Sequence, residues 1–169
     1  MRKQKSLLKN FHSGFTLVEL LVVISVIGLL AALIMVNFNA ARERARDVER
    51  KSDLDQIKKA LRLYYNDKNV YPETSLTGNK ICGCDDPCRT YEWNAAFECG
   101  GMTYMKLLPN DPLFEQDATR FYEYQGAASG HDFCLWGELE NKSDGDIAKS
   151  KARCSNCSVG ADDYVVCAD

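Results

Sequence analysis

Ser13-Gly14-Phe15-Thr16-Leu17-Val18-Glu19, continued by LLVVISVIGLLAALIMVNF to Phe38, is the passage on which the reading of this chain turns. From Phe15 to Phe38 only Thr16, Glu19, Ser25, Gly28 and Asn37 interrupt the apolar run. As a helix it would reach ~36 Å at ~1.5 Å per residue, enough to cross the hydrocarbon of a bilayer. Ahead of it stand Arg2, Lys3, Lys5 and Lys9 without an acid, which keeps the N-terminus on the cytoplasmic face. An ordinary secretory signal has a shorter apolar core and a small-x-small cleavage site, whereas Phe38-Asn39-Ala40 puts Asn where a small residue belongs. The unusual residue is Glu19. A carboxylate costs ~2.5–3.5 kcal/mol at the centre of a membrane helix and less toward an end, so it asks for a partner.

Outward from this passage the charge is segregated. The 169 residues carry a net charge of −3, but residues 71–169 hold 8 basic against 17 acidic side chains. That acidic part repels phosphate backbones, so direct nucleic-acid binding is not expected. All eight cysteines, Cys82, Cys84, Cys88, Cys99, Cys134, Cys154, Cys157 and Cys167, follow Tyr71. Their even number and density predict an oxidising compartment and four intramolecular disulfides. Arg42, Arg44, Arg46, Arg50 and Lys51 flank the far end of the apolar run, so the charge rule is nearly balanced. The cysteines decide the topology: N-terminus inside, bulk of the chain outside.

The combination of Gly14, Phe15 and Glu19 four residues later, with a basic leader before and an apolar helix after, resembles the class III signal of type IV prepilins and pseudopilins. The resemblance implies cleavage between Gly14 and Phe15 by a membrane prepilin peptidase, which also N-methylates Phe15. It further implies that Glu19, about one helical turn on, pairs with the Phe15 amine of a neighbouring subunit as the helix enters a filament. Partners would then be the peptidase and N-methyltransferase, other pilin subunits in a helical filament, and an inner-membrane assembly platform. The expected location is the cytoplasmic membrane as a single-pass precursor, then a cell-surface or periplasmic filament.

Residues 41–69 contain no Pro or Gly and set Ala41, Ala45, Val48, Leu54, Ile57, Leu61 and Tyr64 near one face, predicting that the helix runs on as an amphipathic rod beneath a folded head. The helix should end at Asn66-Asp67-Lys68-Asn69, because Tyr71-Pro72 favours an extended backbone. Its exit through Val70-Tyr71-Pro72, and the Pro109-Asn110-Asp111-Pro112 turn, also resemble pilin-like proteins. Residues 73–103 read as a disulfide-held irregular region with a short helix at 89–97. Strands are expected at 121–125, 133–139 and 163–167, the last two joined by a polar loop from Glu140 to Asp162. The fold class is therefore α+β and pilin-like: a long N-terminal helix packed against a small antiparallel sheet with a cysteine-rich region. Its parts are a cleaved leader (1–14), a transmembrane and filament-core helix (15–40), its amphipathic continuation (41–69) and a disulfide-rich head (70–169).

Chemistry beyond assembly has little to build on. Of the two histidines, His12 lies in the leader and His131 sits in a Ser-Gly-His-Asp turn, so no catalytic residue and no enzyme activity are expected. Cys154-Ser155-Asn156-Cys157 has redox spacing without a βαβ context. Cys82, Cys84, Cys88 and Cys99 could in principle hold zinc, and Cys154 and Cys157 could join such a site. Asn141, Ser143, Asp144 and Asp146, with Asp162 and Asp163 later, offer calcium-type oxygens whose spacing fails the EF-hand pattern. Neither ion is expected as a cofactor, and Asp144 and Asp146 are the weak calcium candidates. Cys82 and Cys84 are too close to bond without strain. Cys134 and Cys167, in strands expected to pair, are expected to bridge. The alternative function is a membrane-tethered extracytoplasmic binding, redox or metal module.

Overall fold

A computed structural model describes residues 14–76, 78–83 and 90–168, and for residues 33–37 the backbone alone. The leader residues 1–13 with His12, and Cys84 and Cys88, lie outside the described residues. Two compact units divide the chain, Met1–Ala40 and Ala41–Asp169. Helix α1 spans Leu17–Lys68 without a break, as the absence of Pro and the run of helix formers predict. It stops where the sequence says it should. Asn69 adopts a left-handed φ of 59° and donates its N–H to the Tyr65 carbonyl at 2.7 Å, closing the last turn.

In the second unit the helix buries Leu54, Ile57, Leu61 and Tyr64, alternately three and four residues apart. The predicted stripe was right from Leu54 onward and wrong before it. Ala41, Ala45 and Val48 are exposed, and the buried face instead starts with Asp47 and Arg50. The reason is chemical: the chain segments that cover this turn of the helix bring carboxylates and backbone N–H groups, so charged residues are held there.

Three small antiparallel sheets make up the rest. Strand β1 (Glu73–Thr74) pairs with β2 (Ile81–Cys82), and β3 (Phe97–Cys99) pairs with β4 (Met102–Met105). The main sheet has the order β5 (Glu123–Gly126), β6 (Phe133–Glu138), β7 (Asp163–Cys167). Its register sets Tyr124 and Val166 on either side of Leu135, all buried. Phe133 and Leu135 thereby face the core from alternate positions, with Leu139 buried just beyond the strand. Aromatic packing fills the space around Tyr64, whose ring lies 5.5 Å from that of Phe97 and 5.2 Å from that of Tyr104. Gly137 is required at its place in β6: a Cβ there would come within 2.8 Å of the Tyr122 ring.

Two expectations are corrected. Residues 90–97 form no helix. Asn94 is left-handed (φ 66°), and Asn94 and Leu108 exchange backbone bonds with each other's neighbourhood, Asn94 N–H to Leu108 O and Leu108 N–H to Ala95 O, both 2.8 Å. The backbone groups a helix would use are thus committed across the chain. The supposed polar loop between β6 and β7 contains a second helix, α2 (Gly145–Arg153). Asp144 caps it by accepting the Asp146 N–H, and Lys151 and Arg153 occupy its last turn, where cations favour the helix dipole.

Candidate functional site: the start of helix α1 and the seam of the head

Phe15 and Gly14 precede the helix, and Phe15 is exposed. The first turn is organised by Thr16 and Glu19. Glu19 Oε2 accepts both the Thr16 N–H at 2.9 Å and the Thr16 hydroxyl at 2.7 Å, while the Glu19 N–H donates to Thr16 Oγ1 at 3.2 Å. This is a reciprocal capping box, in which each residue satisfies a backbone donor of the other. Both bonds to the carboxylate use the same oxygen. Among the described residues Oε1 accepts nothing, so a second donor has room on the same side chain. The side chains that follow, Leu17 through Leu30, include Leu20, Leu21, Val22, Val23, Ile24, Val26 and Ile27 at 50–61% exposure. Among the described residues this apolar stretch of the helix is exposed on every side. Among the described residues no helix is long and apolar enough to cross a membrane, and side chains 33–37 of the expected span lie outside that description.

In the head, Arg50 is fully buried and surrounded by three acids. It donates to Asp111 through Nε (2.7 Å) and Nη2 (3.1 Å), and through Nη1 to Asp47 (2.7 Å) and Glu140 (2.6 Å). Burial works against its charge, but the bonds to Asp111 and Glu140 outweigh it and raise its pKa further. Arg46 grips Glu140 from the other side (2.7 and 2.5 Å). That contact first, then Arg50, holds the Glu140 carboxyl down at about 2. Asp47 also accepts the backbone N–H groups of Glu140 (2.9 Å) and Asn141 (2.8 Å). Helix α1, the Pro109-Asn110-Asp111-Pro112 turn and the segment leaving β6 are thereby joined by one charged knot. Sequence reasoning treated Arg50 only as a flanking charge. The available signal was its place four residues before Leu54, on the buried face.

Cys134 bonds to Cys157 and Cys154 to Cys167. The expected Cys134–Cys167 bridge is therefore wrong, although these two are register partners across β6 and β7. Helix α2 delivers Cys154 and Cys157 to that strand pair, and each strand cysteine bonds to the helix end instead. Cys82 and Cys99 are also disulfide-bonded. The described cysteines thus present no thiolate for zinc or for redox chemistry at Cys154 and Cys157.

The calcium-type carboxylates are committed to other partners. Lys51 Nζ lies between Asp144 (2.7 Å) and Asp146 (2.9 Å), Lys142 pairs with Asp162 (2.7 Å), and Asp163 accepts the Gly160 N–H (2.6 Å). Lys51 first, then Lys149, holds the Asp146 carboxyl at about 2. An ammonium therefore fills the position between the two candidate ligands. Among the described residues no three His, Cys, Asp or Glu side chains converge on a metal-sized site. His131 meets the Tyr65 hydroxyl through Nδ1 at 3.1 Å.

Comparison with known proteins adds to this geometry. Residues 9–35 match the family model described as the prokaryotic N-terminal methylation motif. The chain is 35% identical over 108 residues to the type II secretion system core protein G of Aeromonas hydrophila, covering 62% of this chain and 69% of that protein. It is 32% identical over 112 residues to the protein of the same name from Vibrio cholerae, covering 66% and 67% of the two chains. A shorter likeness, 45% over 58 residues and covering 34% of this chain and 44% of the relative, is to the type IV wide pilus major component PilA4 of Thermus thermophilus. No solved structure matches the chain.

Proposed function

The chain belongs to the type IV pilin and pseudopilin family, and from that premise we propose how this structural subunit is processed and assembled. It is made as a prepilin, inserted with its basic leader in the cytoplasm and its cysteine-rich head outside. A prepilin peptidase cuts between Gly14 and Phe15 and methylates the new Phe15 amine. The subunit then leaves the cytoplasmic membrane, through an assembly platform, for a type IV pilus or a type II secretion pseudopilus, packed through the helix that starts at Leu17.

The observation that carries this reading is the Glu19 carboxylate at the first turn of α1, at the head of a stretch to Leu30 that is otherwise uncharged and exposed all round. Its Oε2 holds the subunit's own Thr16, and its Oε1 is left for the Phe15 amine of a neighbour. A charge costly in lipid and neutralised only by a partner gives assembly its register. The test is the N-terminal sequence and intact mass of the protein purified from its native membrane. N-methyl-Phe15 at the start is expected, with processing impaired by Gly14→Val. A mature protein that retains Met1 while the peptidase is active overturns the reading.

A further inference from the structure

Strand β7 is an edge of the main sheet, and its outer side is closed by a helix rather than by another strand. The Val165 N–H donates to Ser150 Oγ of α2 at 3.2 Å, and the same hydroxyl donates to the Ile147 carbonyl at 2.9 Å. Ser150 is fully buried. An open strand edge offers its unpaired backbone groups to any other strand, and α2 covers that edge here.

Helix α2 has little of its own to keep it in place. It is nine residues long, and isolated helices below about 12–15 residues are marginal in water. Ile147 is its one buried apolar side chain. Lys51 bonds Asp144 and Asp146 at its start, but the Asp146 side chain is about half exposed. Lys151 donates to the Gly160 and Ala161 carbonyls from its last turn, again in contact with solvent. Ion pairs and hydrogen bonds open to water hold weakly. The covalent ties are at the far end: Cys154, the C-cap, to Cys167 of β7, and Cys157 to Cys134 of β6. Even the apolar contact there, around Trp136 and Val165, is built largely from these four cysteines.

We propose that α2 is a redox-sensitive strap, held shut by these two bridges, whose release opens the β7 edge to antiparallel pairing with β7 of a second copy of this chain. A dithiol opens each bridge by thiol–disulfide exchange: one S–S bond breaks, the chain gains two thiols, and the dithiol leaves as a disulfide. Cys134–Cys157 opens first, because both of its residues are half-buried, whereas Cys154 and Cys167 are 5% and 8% exposed. Once α2 lifts, a pairing centred on Val165 sets Tyr164 opposite Val166 and Asp163 opposite Cys167, so the one charged residue of β7 meets no like charge. The strap lies in the head alone and involves neither Phe15 nor Glu19, so it stands or falls separately from the assembly reading.

The test uses the full-length protein in detergent micelles, with hydrogen exchange read peptide by peptide and particle mass read by light scattering. In the oxidised protein the α2 amides and the Val165 N–H should be protected and the particles monomeric. Cys134→Ser, Cys154→Ser, Cys157→Ser and Cys167→Ser combined, which leave the disulfides of Cys82 and Cys99 in place, should speed exchange in 145–153 by about tenfold or more. Val165 should lose protection in dilute samples and regain it as dimers form at higher concentration. Wild-type protein treated with dithiothreitol should behave in the same way, and each of these two samples covers a failure of the other to fold. Ser150→Ala with both bridges intact removes only the acceptor and should remain monomeric. The strap is refuted if α2 stays protected without the bridges, or if it opens and no dimer forms. It is refuted too if both samples lose protection in β5 and β6, which would assign the bridges to the fold of the whole head. Dimers in which Val165 still exchanges freely, or a dimeric Ser150→Ala, would equally overturn it.

Discussion

Arg50 and Asp111, sixty-one positions apart, meet as a buried two-point ion pair, Nε to Oδ2 at 2.7 Å and Nη2 to Oδ1 at 3.1 Å. The relationship explains why a cation sits on the core face of α1. Asp111 also accepts the Leu113 N–H, so the same carboxylate shapes its own turn and fastens that turn to the helix. Removing the guanidinium leaves the buried carboxylates without compensation, which is costlier than the pair's own net worth.

Arg50→Leu should therefore destabilise the head by about 3–5 kcal/mol, the cost of stranding buried carboxylates. Asp111→Asn should cost less, since Asp47 and Glu140 still balance the guanidinium. Chemical denaturation followed by tryptophan fluorescence measures both. Equal stability of Arg50→Leu and the unchanged protein would mean that the knot does not hold the helix to the turn.

Acid should loosen the same knot over a defined range. Arg46, then Arg50, lowers the Glu140 carboxyl to about 2 in the folded chain, against roughly 4.3 for an unperturbed glutamate. A depressed carboxyl contributes stability that is complete above the unfolded value and is lost as pH falls through the folded one. Denaturation midpoints should thus fall between about pH 4 and pH 2, and Glu140→Gln should flatten that fall while lowering stability at neutral pH. A Glu140→Gln variant with the same acid profile would assign the loss to other carboxylates.

For Glu19 the structure separates two roles that one substitution removes together. Glu19→Val takes away the cap on Thr16 and the carboxylate offered to a neighbour. Loss of a capping contact costs ~1 kcal/mol and frays one turn. Cleavage and insertion should survive that, while incorporation into filaments should fall severely. Thr16→Ala removes the hydroxyl of the capping box but leaves the carboxylate, so filaments should form nearly normally. Immunoblots of sheared filaments and membrane fractions read both. Wild-type incorporation of Glu19→Val would refute the pairing.

How much was legible follows from where each signal lies in the chain. Gly14, Phe15 and Glu19 are local, and the apolar run after them needs no tertiary information. The end of α1 at Asn69 and strands β6 and β7 were readable for the same reason: Asn, Tyr-Pro and β-branched residues act on their immediate neighbours. Helix α2 was missed because Ile147 is its one buried apolar residue, so the sequence offers no helical stripe. Its signal was the cap, Asp144, followed by Gly-Asp and ending in Lys151 and Arg153. The partnership of Arg50 with Asp111 was not legible at all, since nothing local in either residue names the other. Missing α2 also produced the wrong disulfide, because a loop gives Cys154 and Cys157 no fixed place.

The corrected pairing leads to the last prediction. With α2 present, Cys154 follows its last turn and Cys157 lies three residues further on, while Cys134 and Cys167 face each other across the strands. Bridges 134–157 and 154–167 tie the helix end to both strands, with separations of 23 and 13 residues. The swapped set, 134–167 with 154–157, would join strand to strand and leave α2 unfastened. Peptide mapping of the unreduced protein should recover the first set alone. Opening Cys154–Cys167 with paired serines should cost about 3 kcal/mol, since the loop it closes is short. Because Cys154, Cys167 and Val165 share a small buried cluster with Trp136, the variant should also shift tryptophan emission toward the red. Mapping that returns Cys134 bonded to Cys167 would restore the strand-to-strand bridge and remove the fastening of α2.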